Sequence, residues 1–86
     1  MEKIPVPPYR TYLNKYKTIS VSELVVARVQ IEKDRDDAVY NWTQLQLNNG
    51  TRDEEYEAYI KARNLNAELE TLTSVLNIKR IEEDSE

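Results

Sequence analysis

Neither cysteine nor histidine occurs among the 86 residues, and glycine occurs once. Without cysteine there are no disulfides, no thiolate metal ligands and no cysteine nucleophile. Without histidine, the commonest general base and the commonest metal ligand are both missing. No Ser-His-Asp or Cys-His arrangement, HExxH helix, phosphate-cradling glycine loop or zinc spacing can be assembled from what remains. The expectation is a protein that is not an enzyme and holds no cofactor.

Long apolar runs are also absent. None approaches the roughly 20 residues needed to span a bilayer. The opening Met1-Glu2-Lys3-Ile4-Pro5 has no continuous apolar segment behind a basic start, so no signal peptide is expected. The expected setting is the cytoplasm, of a host cell if the source is viral, with no membrane partner. A chain of this length makes one domain with a modest core.

The net charge of −4 is unevenly spread. Residues 1–19 carry +3, residues 20–49 carry −2 and residues 50–86 carry −5. Duplex DNA binding needs clustered bases, so an acidic body argues against it. The notable asymmetry is a basic, tyrosine-rich arm on that body.

Ile4-Pro5-Val6-Pro7-Pro8 cannot be helical, because each proline lacks a donor and restricts the residue before it. It reads as an extended arm. From Pro8, a residue type favoured at a helix start, Tyr9, Tyr12, Leu13 and Tyr16 fall on one face of a short helix over about residues 8–17.

Two long helices follow, over about residues 20–47 and 52–77. Ser20 with Glu23 forms a capping box, and Ile19 with Leu24 has the spacing of a hydrophobic staple. Asn48-Asn49-Gly50 stops the first helix, the glycine being suited to a left-handed helix end. Thr51 with Glu54 is a second capping box, and Asp53, Glu54 and Glu55 favour the positive end of the helix dipole. Three segments result: a Pro/Tyr-rich basic arm with a short helix over 1–19, a helical body over 20–78, and an acidic, disordered tail over 79–86.

Both long helices carry an apolar stripe repeating at 3.5 residues, the period of supercoiled packing. In the first it is Val21, Leu24, Arg28, Ile31, Arg35, Ala38, Trp42 and Leu45; in the second it is Ala58, Ala62, Leu65, Leu69, Leu72 and Leu76. Equal lengths and a tight connection imply an antiparallel hairpin. Val25, Val26 and Val29 widen the first stripe, while Tyr59, Ile60, Val75 and Ile78 widen the second. A lone hairpin leaves one side of such stripes wet, so the expected fold class is all-α, with the hairpin packed as an oligomeric helical bundle.

Arg28 and Arg35 interrupt the first stripe. They either snorkel or pair with a facing carboxylate to set register, or they line a groove for an anionic ligand or an acidic partner. The run Glu32-Lys33-Asp34-Arg35-Asp36-Asp37 reads as a solvated surface with local pairs. It lacks the glycine turn and ligand spacing of a calcium loop. In the arm, tyrosines interleaved with Arg10, Lys15 and Lys17 suit a docking face, or stacking on a base beside a phosphate.

Tyr16-Lys17-Thr18-Ile19-Ser20, followed by Glu23-Leu24, resembles the entry to the first long helix of phage-encoded cyclic-nucleotide sponges that counter CBASS immunity. Proteins of that family are oligomeric helical hairpins of similar size with a short preceding helix. The resemblance spans residues 16–24. It implies that Tyr16 stacks on a nucleobase and that a lysine, here Lys33, holds phosphate.

These readings converge on a non-enzymatic protein–protein interaction or oligomerisation module. It would self-associate and bind a protein target, in the manner of a small phage-type inhibitor or assembly factor. The alternative is an anti-defence sponge that sequesters a small anionic nucleotide between subunits. The candidate contact residues are Tyr9, Arg10, Tyr12, Tyr16, Lys17, Arg28, Lys33 and Arg35.

Overall fold

The computed structural model describes residues 7–84. Those residues form three α-helices and no strand: α1 (Tyr9–Tyr16), α2 (Val21–Leu47) and α3 (Arg52–Asp84). The extended arm expected over residues 4–8 lies largely outside the described residues.

The helix starts follow from their caps. Ser20 Oγ accepts the Glu23 backbone N–H at 3.3 Å. Thr51 Oγ1 accepts the Glu54 N–H at 3.2 Å and donates to the Glu54 carboxylate at 3.0 Å. The Glu54 carboxylate is thus engaged by the threonine hydroxyl. α1 begins one residue later than expected, with Pro8 at the cap position.

The stop after α2 corrects one expectation. The residue in the left-handed region is Asn49, at φ 55°, and Gly50 is not. Asparagine tolerates that conformation because its short polar side chain can bond locally. Glycine suits position 50 for a different reason. Its N–H donates to the Leu45 carbonyl at 2.7 Å. A Cβ placed there would lie 2.8 Å from Leu45 Cδ2 and 3.1 Å from the Leu45 carbonyl oxygen. Gly50→Ala should therefore crowd the last turn of α2 and cost about 1–2 kcal/mol, which denaturant unfolding would read as a lower midpoint at unchanged slope.

α3 is longer than expected. It runs to Asp84, so residues 79–84, expected as a disordered tail, are helical. No proline or glycine follows Asn77 to break the helix, and an asparagine within a helix costs only a few tenths of a kcal/mol. Lys79 adds an anchor, donating from Nζ to the Ile19 carbonyl at 2.6 Å.

α2 and α3 pack along each other, and α1 packs chiefly on α3. Contacts recur along the pair. Trp42 and Tyr59 meet with ring centroids 5.2 Å apart, and Arg35 Nη1 reaches Asn66 Oδ1 at 3.5 Å. The molecule is elongated, 54 × 26 × 14 Å. Its long axis matches the roughly 50 Å that 33 helical residues span.

The core sits toward the end where α1 docks. Leu24, Leu72 and Leu76 are fully buried, with Tyr16, Ile31, Leu69 and Val75 packed around them. Ile19, Val21, Ala27 and Leu65 close the margin. Toward the α2–α3 loop, burial falls mainly on small residues: Ala38, Ala58 and Ala62. Both stripes therefore face inward as their spacing implies, with Arg28 and Arg35 half-buried within the first.

Candidate functional site

Two features set the chemistry of this surface: an anchor that fixes α1, and a groove that the anchor creates. Glu68 of α3 is the centre of the anchor. Its carboxylate accepts a hydrogen bond from the Tyr16 hydroxyl and one from Lys15 Nζ at 3.0 Å. The Lys15 ammonium also sits 5.1 Å from the Tyr16 ring centroid, a cation–π contact. Burial, then the bond to Glu68, pushes the Tyr16 hydroxyl up from 10.0 to about 12. The bond to Glu68 raises Lys15, and burial raises Tyr12.

Beside the anchor, α1 and α3 enclose an open apolar groove of about 480 Å³. Tyr12, Tyr56, Ile60 and Leu65 supply its apolar lining. Glu57, Lys61, Asn64 and Glu68 complete it with polar groups. Among the described residues the groove lies where α1, only eight residues long, stops short of the flank of α3 that carries Tyr56 and Ile60.

The structure separates the residues expected to act together. Tyr16 is 2% exposed, so its ring is enclosed, with the hydroxyl given to Glu68. That placement does not present it for base stacking. Tyr12 is half-buried in the groove wall. Tyr9, which shares the expected tyrosine face, is about half exposed, as is Leu13. Arg10 and Lys17 are exposed. Arg28 is half-buried. Arg35 turns its fork onto Asp36, with Nη2 3.0 Å and Nε 3.2 Å from Oδ1, and reaches Asn66 across the helix pair. Lys33 is exposed.

Sequence reasoning missed Glu68, Tyr56 and the groove. Glu68 lies 52 positions from Tyr16, and a single glutamate on a long helix carries no signal of that pairing. Ile60 was legible as apolar excess, and it is one wall of the groove.

Among the described residues, no group of three or more histidine, cysteine, aspartate or glutamate side chains is placed to hold a metal ion. Among the same residues, no helix is long and apolar enough to cross a membrane. Comparison with protein-family models, with curated proteins and with solved structures finds no match to this chain.

Proposed function

We propose that this chain is a non-enzymatic interaction module: an antiparallel helical hairpin, braced at one end by α1, that self-associates and binds a protein target. The observation that carries this reading is apolar surface left uncovered among the described residues on two sides of so small a protein. One side is the α1–α3 groove. The other is the outer face of α2, where Val26 and Val29 are 70% and 66% exposed. Exposed apolar residues are ordinary singly, but apolar surface gathered along helix faces and in a groove marks contact sites.

The groove suits an apolar anchor side chain from a partner segment. Aromatic walls of tyrosine are typical of the few residues that dominate binding energy. Its charges are balanced, Glu57 against Lys61 and Glu68 against Lys15, which suits an apolar anchor. A small inhibitor or assembly factor would act in this way, by occupying a partner's surface.

Ile60→Glu places a charge in the groove wall while leaving the buried core untouched. Capture from the native host by the unaltered chain should yield a stoichiometric partner that the Ile60→Glu chain loses by at least about tenfold. Equal capture by both chains would remove the groove from the proposal. The sponge alternative is disfavoured by the enclosed Tyr16 ring. It predicts thermal stabilisation by cyclic dinucleotides at about 1 mM, where none is expected here.

A further inference from the structure

We infer that the partner on the outer face of α2 is a second copy of this chain, packed antiparallel about a twofold axis with Lys33 of each protomer set against Asp36 of the other. The inference rests on the self-association proposed above and assigns it a face, a direction and a register.

α2 carries two stripes of 3.5-residue period on opposite sides. The inner one, through Leu24, Ile31 and Ala38, is covered by α3. The outer one is Val26, Val29, Lys33, Asp36, Tyr40, Thr43 and Leu47, spaced 3-4-3-4-3-4. Every member is exposed, with Tyr40 at 67% and Leu47 at 71%. Because α1 docks chiefly on α3, no helix among the described residues covers this face. The stripe runs about 32 Å, long enough for three heptads of helix packing. Thr43 suits such a face, since its hydroxyl is already given to the Val39 carbonyl at 2.9 Å.

A helix with apolar residues on two opposite faces fits the middle of an assembly, and the charges in this stripe choose the arrangement. In antiparallel packing, the first apolar position of one heptad meets the fourth position of a heptad on the other helix. One register then places Val26 on the partner's Thr43, Val29 on the partner's Tyr40 and Lys33 on the partner's Asp36. The twofold axis repeats each contact, so two opposite-charge pairs sit at the centre between apolar layers. Shifting by a heptad sets Lys33 on the partner's Thr43 and Asp36 on the partner's Tyr40, which gives neither a counter-charge across the seam and leaves Asp36 with Arg35 of its own helix. Parallel packing sets Lys33 on the partner's Lys33 and Asp36 on the partner's Asp36, which repel. Polar residues within an apolar seam are best attested as devices that fix register and orientation in this way.

The neighbouring charges are compatible with that arrangement. Arg35 takes only Oδ1 of Asp36, leaving Oδ2 for a second partner, and the Asp36 side chain is 65% exposed. Gln30 donates to Asp34 at 3.0 Å, away from the stripe. Glu32 and Asp37 flank the seam, where charged side chains stay hydrated.

The absence of native cysteine makes a cross-linking test clean. Light scattering of the unaltered chain should reach twice the 10.1 kDa chain mass as concentration rises. A strict monomer would overturn both this inference and the self-association beneath it. Val29→Cys and Tyr40→Cys chains, mixed and oxidised, should form the mixed disulfide in preference to either symmetric one. Symmetric cross-linking of the Val29→Cys chain, or no mixed disulfide in a dimeric sample, would overturn the register and leave self-association standing. Lys33→Asp should weaken dimerisation by roughly tenfold or more with helix content unchanged, and the Lys33→Asp/Asp36→Lys double variant should restore it. Dimerisation of Lys33→Asp as strong as that of the unaltered chain would also overturn the register.

Discussion

Leu72→Ala should remove about 3 kcal/mol of unfolding free energy and lower the melting temperature by roughly 15 °C. Leu72 is fully buried in a cluster that α1, α2 and α3 share, beside Leu24 and Leu76. Deleting its branched end loses the transfer free energy of three carbons and leaves a cavity that three helices must share. A domain of this size commands a total of only about 4–13 kcal/mol, so the loss is a large part of the whole. Thermal unfolding followed by circular dichroism would read it. Ile78→Ala, at a position 55% exposed, is the control and should stay within about 0.5 kcal/mol. A Leu72→Ala loss below about 1 kcal/mol would mean that the helices do not rely on this cluster.

Tyr16→Phe should cost about 2 kcal/mol and loosen α1 before the rest of the chain, because the bond lost is one to a carboxylate. The side chain of Glu68 is only 14% exposed, and it would be left with Lys15 alone among its two donors. The same anchor predicts sensitivity to alkali. The unfolded chain ionises Tyr16 near 10.0, while burial and Glu68 hold the folded hydroxyl up at about 12. Between those values the unfolded state binds fewer protons, so stability falls as pH rises. The contribution is fully present below about pH 10 and is lost by about pH 12. Lys15 and Tyr12 are also raised, so they act in the same direction. Melting temperature against pH should therefore be flat to about pH 9 and decline above it, with a shallower decline in Tyr16→Phe. An identical decline in both proteins would show that Tyr16 carries none of it.

The helical elements were legible because their signals are local. Ser20 and Thr51 accept the N–H groups three residues on, as a cap must. The inward stripes were legible because a 3.5-residue spacing selects one face whatever lies opposite. The stop at Asn49-Gly50 was legible as a stop, although the residue taking the left-handed conformation was misassigned. Asparagine and glycine both tolerate it, so residue type alone does not say which of the two takes it. The end of α3 was misplaced because a charged, apolar-poor segment gives no burial signal. What continues it is the absence of a breaker and the reach of Lys79 to a carbonyl 60 positions away.

From sequence alone came the all-α class, three helices, their starts and the inward faces of the long pair. Each depends on residues within one or two turns of one another, where spacing is geometry. Tertiary structure alone decided that α1 docks on α3 through Glu68, that this encloses Tyr16 and opens a groove beside Tyr12, and that the outer stripe of α2 stays bare among the described residues. Those outcomes turn on which of several apolar faces meets which. Burial rewards every such pairing alike, and only side chains brought together from distant parts of the chain, here a tyrosine, a lysine and one glutamate, select among them.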